Sequence, residues 1–403
     1  TRVRINGIEA LATTGGTDSS GGANRSRGFD FNVFASELFN SLTVRKTASA
    51  NIEEGSLGAT VDLQTARPFD YDGFTFVAGG QLGYNDLGGD TDPRASFLLS
   101  NTFSDDRFGA LLSVAYTERR LIEEGHSTVR WDRGTSSGGF SPTSPYTPAL
   151  GANTFHPRIP RYGVFEHDQQ RLGITGALQF RPTEDTEILF DVLHANLDAT
   201  RTESFLNGLS FSRTGSGKPQ TVVLDGAVDA NGNLVYGVFN NVDVRSEARY
   251  DELETDFTQL SLSGSHRFSD VFRMSGAIGR AESKFDNPIQ TTITMDRLNV
   301  QGYSYDYRGN SRLPVINNGF DVTDPSQWTF ANGVSEIRLR PQAVDNTYDV
   351  AQLDFGWDVT DVFALSGGVQ YKQYGFDSYE ARRASELAVA AGPTRWNPSC
   401  ACT

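Results

Sequence analysis

Apolar and polar residues alternate along most of this chain, in segments of about ten residues. Between residues 74 and 84, Phe74, Phe76, Ala78, Gly80, Leu82 and Tyr84 share one side, and Thr75, Val77, Gly79, Gln81 and Gly83 the other. A period of two puts these sets on opposite faces of a sheet. The same pattern returns at 95–103, 108–116, 172–180, 188–192, 260–268, 272–278, 353–359 and 363–371. It predicts about nine antiparallel strands.

Short turns at 104–107, 182–186, 269–271 and 360–361 join pairs of these segments. Long polar stretches follow at 120–170, 198–250 and 285–345. Short turns at one end and long loops at the other are the rhythm of an outer-membrane β-barrel. A strand of about eight residues, at about 3.3 Å each and tilted about 40°, rises roughly 20 Å, close to an apolar membrane band. Aromatic residues bound several of these faces, as Phe74 and Tyr84, Phe108 and Tyr116, and Phe363 and Tyr371 do, in the positions of interfacial girdles. A soluble β-sandwich also alternates but lacks this asymmetry of turns. Bacterial single-chain barrels use even strand numbers, so nine strands are expected to be part of a larger barrel.

Composition narrows the class further. In 403 residues the hydrophobic fraction is 37%, and no run of about 18 apolar residues offers a transmembrane helix. A formal net charge of -15 excludes nucleic acid as a partner, because phosphate binding needs clustered Lys and Arg. No enzymatic constellation stands out. The glycines at 15–16 and 21–22 lack the Lys-Ser/Thr of a phosphate loop. His126, His156, His167, His194 and His266 have no metal-ligand spacing. Cys400 and Cys402 are one residue apart, a poor spacing for zinc or redox chemistry. Asp229-Ala230-Asn231-Gly232-Asn233 resembles the start of a calcium loop but lacks the closing Glu, so a hairpin turn on Asn-Gly is expected. No metal and no cofactor are expected.

Residues 1–68 differ from the rest. A Gly/Ser/Thr-rich loop runs from 13 to 28, a short helical turn is expected from Ser36, and Leu42-Thr43-Val44-Arg45 reads as a strand. The segment 36–44, followed by Glu54-Gly55-Ser56-Leu57-Gly58-Ala59-Thr60-Val61-Asp62-Leu63-Gln64-Thr65-Ala66-Arg67-Pro68, closely resembles the end of the plug domain of TonB-dependent outer-membrane receptors. In that family a Gly-x-x-Gly-Gly-x-Val-Asn-Leu-x-Thr-x-x-Pro stretch leads into the first barrel strand. Here Phe74 begins that strand, with Ala59 for the second glycine and Asp62 for the usual Asn.

The resemblance implies a partial plug over 1–68 and, over 69–403, the first strands of a 22-stranded type of transmembrane barrel with a plugged lumen. It implies a receptor in the outer membrane of a Gram-negative bacterium, not an enzyme. Such a receptor imports a large nutrient, carbohydrate or ferric siderophore, by energised plug rearrangement. Its partners are outer-membrane lipid, the nutrient, and TonB through a box expected upstream of this chain. A passive porin or surface adhesin is the alternative, and it would need no plug.

Aromatic faces beside charged groups suit sugars or an aromatic chelate. On that ground the expected ligand residues are Arg130, Trp131, Asp132, Arg133, Tyr146, Tyr162, Tyr305 and Trp328 in the outer loops, with Asn24, Arg25 and Arg27 at the plug apex. Arg45 and Arg67 are expected to meet Glu187 or Asp191 across the plug–barrel gap.

Overall fold

The computed structural model describes residues 2–13, 28–47, 58–133, 139–209, 211 and 219–389. A small sheet holds β1 (Arg2–Ile5), β2 (Ile8–Glu9), β3 (Phe39–Arg45) and β4 (Thr60–Thr65), in the order β2-β1-β4-β3. Asn6 and Gly7 link β1 to β2, both at positive φ (51° and 84°), as a two-residue type I′ hairpin requires. Short 3-10 turns at Phe31–Val33, Ser36–Leu38 and Pro68–Asp70 flank the sheet.

The large sheet is an antiparallel wall. Its path runs β5 (Thr75–Asn85), β6 (Asp90–Phe103), β7 (Phe108–Ser127), β10 (Arg161–Thr183), β11 (Thr186–Gly208), β13 (Leu234–Ser269), β14 (Phe272–Asp306), β17 (Gln342–Thr360) and β18 (Phe363–Glu380). Every alternating segment seen in the sequence is a strand of this wall. The intervening pieces are β8 (Trp131–Arg133), which pairs with β9 (Phe155–Pro157), and β12 (Val222–Val228), β15 (Val315–Asn317) and β16 (Ile337–Leu339), which extend the wall. β5 and β18 are its two edges, so the wall is not closed among the described residues.

All four tight turns are present. At the first, Ser104, Asp105 and Asp106 have φ of 59°, 56° and 60°, a left-handed run that short polar side chains tolerate. The long loops are shorter than expected, because the strands run on into them. β13 begins at Leu234 and β14 ends at Asp306, deep within stretches read as loops at 198–250 and 285–345. The hairpin between β12 and β13 turns on Gly232, with the Asp229 carboxylate accepting from the Asn231 and Asn233 amides.

One face of the wall exposes large apolar side chains: Phe76, Leu99, Leu112, Leu178, Phe190, Leu262, Ile278, Leu353 and Leu365 all stand on it. Toward the long loops this band ends at outward ion pairs, Arg120–Asp90 (3.0 Å), Arg280–Asp349 (3.2 Å) and Lys284–Glu282 (3.0 Å). The opposite face carries small and polar residues, with Ser100, Ser113, Thr175 and Ser261 buried on it, and apolar ones where the small sheet covers it.

The small sheet packs against that polar face. Val3, Ile5, Ile8, Val33, Phe34 and Leu63 share one core with the wall residues Leu193, Leu197, Phe257, Ala281, Tyr348 and Val350. Phe34 meets Phe257 edge-on at 5.0 Å. Backbone and side chain both stitch the two sheets: Gln259 donates to the Ile5 carbonyl (2.8 Å), Thr255 to the Thr13 carbonyl (2.9 Å), and Tyr374 to the Glu9 carboxylate (2.8 Å). The small sheet, the segment expected to be a plug, therefore packs on this face of the wall.

Candidate ligand-binding vestibule

Above the apolar band, strand parity decides what faces the plug. On β10 the positions opposite Leu172 and Ile174 carry Arg171, Gln169 and His167 inward; on β7 the same parity carries Arg119. His167 is opposite Arg201 in the β10–β11 register. Arg94 on β6 reaches Glu37 of the plug at 3.4 Å. Arg119 and Arg94 are close enough for their charges to press on Arg171, and Asp30 of the plug offsets them. Arg171 donates to Gln169 (2.6 Å), and Gln169 in turn approaches His167 (3.0 Å).

Burial, with Arg201, Arg171 and Arg119 nearby, pushes the His167 imidazole down to about 4, against the upward pull of Asp168. His167 is therefore neutral at physiological pH and adds no charge to a wall already rich in arginine. Further toward the long loops, the charges are internally balanced. Asp251 accepts from Arg201 (2.8 Å) and forms an ion pair with Arg249 (2.9 Å), and Glu203 is within 3.5 Å of Arg201. All four side chains are buried. Burial raises the Glu203 carboxyl above its ordinary value, while Arg249 and Arg201 pull it down.

The outer-loop residues expected at the ligand are placed differently. Trp131 lies 5.6 Å from Tyr307, and His126 stands edge-on between Tyr162 (5.3 Å) and Tyr307 (5.4 Å). Tyr307 and His126 share a 3.1 Å hydrogen bond, and Tyr162 donates to the Pro314 carbonyl (2.6 Å). This brings Trp131 and Tyr162 together. Yet His126 and Tyr162 keep the parity of Tyr116 and Leu172, with no register shift between β7 and β10. His126 and Tyr162 therefore stand on the outward parity of their strands, and Tyr307 joins them to the loop core around Tyr305. Arg130 pairs with Asp132 (3.3 Å), and Arg133 lies over the Phe155 ring (5.5 Å).

Tyr305 has no accessible surface. It lies in a loop core with Phe140, Phe211, Phe239, Val242, Val300 and Tyr303, against which Tyr146 and Trp328 pack. The Trp328 indole donates to the Val322 carbonyl (3.1 Å) and meets Phe320 edge-on. Tyr305 thus builds the loops and presents no face to a ligand, because aromatic rings over a barrel mouth bury one another before they bury a solute. Asn24, Arg25 and Arg27 fall outside the described residues, as do Cys400 and Cys402.

The expected ion pairs across the plug gap do not form. Asp62, on the plug's own β4, takes both Arg4 (2.5 Å) and Arg45 (2.6 Å). Arg67 donates to the Gln64 amide oxygen (2.8 Å) in the orientation that satisfies both groups. Glu187 is held by Arg181 (2.7 Å) and Gln179 (3.0 Å) on the wall. Asp191 is buried and feels Arg67 only through space. Arg45, Arg67 and Glu187 each have a nearer partner within their own sheet. Arg45, Arg67 and Glu187 nonetheless line one shared cavity.

Arg94, Arg119, Arg171 and His167 escaped the sequence reading. Their signal was available in parity: they oppose the lipid-type face one to five residues beyond Ala95, Tyr116 or Leu172.

No family model matches the chain, and no curated protein matches it. Among solved structures it is similar to a mutant ferric enterobactin receptor from Pseudomonas aeruginosa in complex with enterobactin, at 8% identity over 95% of this chain and 77% of that one, with a TM-score of 0.30. It is also similar to the siderophore receptors PirA (9% identity, 94% and 84% covered, TM-score 0.23) and PiuA (9%, 98% and 73%, 0.21) from Acinetobacter baumannii. Likeness at these scores carries no weight, and the fold rests on the chain's own strand order.

Proposed function

We propose that this chain belongs to an outer-membrane receptor that captures an anionic nutrient and imports it by TonB-driven movement of the plug. One observation carries the reading: a separate small sheet is seated against the polar side of a wall whose other side is apolar and exposed. Lipid is the solvent that such an exposed face fits. A plugged lumen does not conduct, so work must displace the plug, which separates this reading from a passive porin.

The vestibule favours a ferric chelate with negative charge over a neutral carbohydrate. Arginines face inward at the plug's upper edge, whereas the loop aromatics are buried in their own core or turned outward. No catalytic step is assigned.

The test uses the full-length parent. Uptake of a ferric chelate should stop in a TonB-null strain while surface binding persists. The double variant Arg119→Ser/Arg171→Ser should bind an anionic chelate about tenfold more weakly, with a shallower salt dependence. Uptake that survives loss of TonB removes the active-transport reading. Unchanged affinity in the double variant returns the choice to carbohydrate.

A further inference from the structure

The sequence contains five Asn-Gly pairs: Asn6-Gly7, Asn207-Gly208, Asn231-Gly232, Asn318-Gly319 and Asn332-Gly333. Such a pair can react with itself, because glycine has no side chain to screen its amide from the neighbouring carboxamide. The structure restrains four of them. The Asn6 side chain is held at both ends by Thr65, donating to its Oγ1 (2.9 Å) and accepting from its amide (3.0 Å). Asn207 is buried, and the Gly208 amide donates to the Pro160 carbonyl (2.9 Å). The Gly232 amide donates to the Asp229 carbonyl (3.1 Å), and the Gly319 amide to Asn317 Oδ1 (3.0 Å).

Asn332 and Gly333 are both exposed. Gly333 has a φ of 71°, in a turn closed by the Val334 and Ser335 amides, which both donate to the Ala331 carbonyl (3.1 and 2.9 Å). Among the described residues the Gly333 amide donates to no acceptor. Beyond its chain neighbours, no atom lies within 4 Å of the place a Cβ would take.

The same turn caps a buried charge pair. The Val334 carbonyl accepts from Arg245 (2.7 Å), and the Ser335 hydroxyl donates to Asp296 (2.6 Å) while accepting from the Ala331 amide (2.8 Å). Arg245 and Asp296 are themselves 2.9 Å apart and buried, and they join β13 to β14. The turn thus supplies the further hydrogen bonds that a buried ion pair needs.

We infer that Asn332-Gly333 is a self-modifying site whose conversion uncaps the Arg245–Asp296 pair and loosens this loop from the wall. The Gly333 amide gives its proton to hydroxide, and its nitrogen attacks the Asn332 carboxamide carbon. A C–N bond forms, the bond to Nδ2 breaks, and ammonia leaves with a proton from water. Water then opens the five-membered imide at either carbonyl, giving aspartate or isoaspartate. Nothing is oxidised or reduced, and water is the only co-reactant. Isoaspartate lengthens the main chain by one methylene just ahead of Val334 and Ser335, and it adds a negative charge to the turn. Both changes draw the Val334 carbonyl and the Ser335 hydroxyl off their partners, and a buried charge that loses a partner is destabilised.

The full-length parent, held in mildly alkaline buffer and sampled over time, tests the first part by peptide mass spectrometry. Asn332 should convert about tenfold faster than Asn6, Asn207, Asn231 or Asn318, the effect of roughly one hydrogen bond on a barrier. Conversion of Asn231 or Asn318 at the same rate overturns the assignment.

Limited proteolysis tests the second part. Aged parent should be cut within 324–336 about tenfold faster than fresh parent, as a locally opened segment is. Aged Asn332→Gln, whose longer side chain closes the ring far more slowly, should match fresh parent. Equal cutting of fresh and aged parent, or the same acceleration in aged Asn332→Gln, overturns the uncapping. Neither readout involves uptake, so the inference stands or falls apart from the receptor reading.

Discussion

At the scale of single residues, glycines and one histidine carry the sharpest consequences. A Cβ on Gly109 would overlap Pro68, and one on Gly173 would overlap Leu38. Gly173→Val should therefore weaken the seating of Leu38 on the wall by about 1–3 kcal/mol, the usual effect of overpacking. Faster proteolysis within 36–47, with the wall intact, would register it. His167 makes a pH prediction. Its value in the folded protein is about 4, below the ordinary 6.5, so between these pH values the unfolded chain binds the extra proton. Stability should fall as pH drops from 6.5 toward 4 and be flat above 6.5 for this group. An NMR titration of the His167 ring with a midpoint near 6.5 would show that burial and the neighbouring arginines do not hold it neutral. Both features were hard to read in the sequence, because a glycine's neighbour and a histidine's surroundings come from strands far away in the chain.

At the scale of elements, the alternating segments were legible because one face of each strand is uniformly apolar. The outer continuation of the same strands was not. From Arg245 to Asp256, β13 carries charged or polar residues on both faces, so the period of two vanishes and the stretch reads as loop. Register with β11 and β14 keeps it extended. The loop core is the other element-level finding. Phe239 is fully buried among Phe140, Phe211 and Tyr305, and Phe239→Ala should cost about 3–5 kcal/mol of local stability. Limited proteolysis should then cut near 300–307 while the membrane-facing strands stay protected. Simultaneous loss of both would mean that loops and wall fold as one unit.

At the scale of the whole molecule, one surface of the wall is apolar and exposed and the other is covered in part by the small sheet. Leu262→Arg, on the exposed apolar face, should cost about 2–4 kcal/mol near the middle of a bilayer and lower the yield of membrane-inserted parent. Wild-type yield would argue that lipid does not touch this face. The chain by itself determined the strands, the tight turns and the side of each strand that avoids water, since these follow from local periodicity and turn chemistry. It also marked residues 1–68 as something other than wall. Only the tertiary structure decided which arginines meet above the small sheet, which aromatics bury one another, and which wall residues the small sheet covers. Those outcomes depend on register between strands and on competition among many charges for the nearest partner, and neither is written in any short stretch of residues.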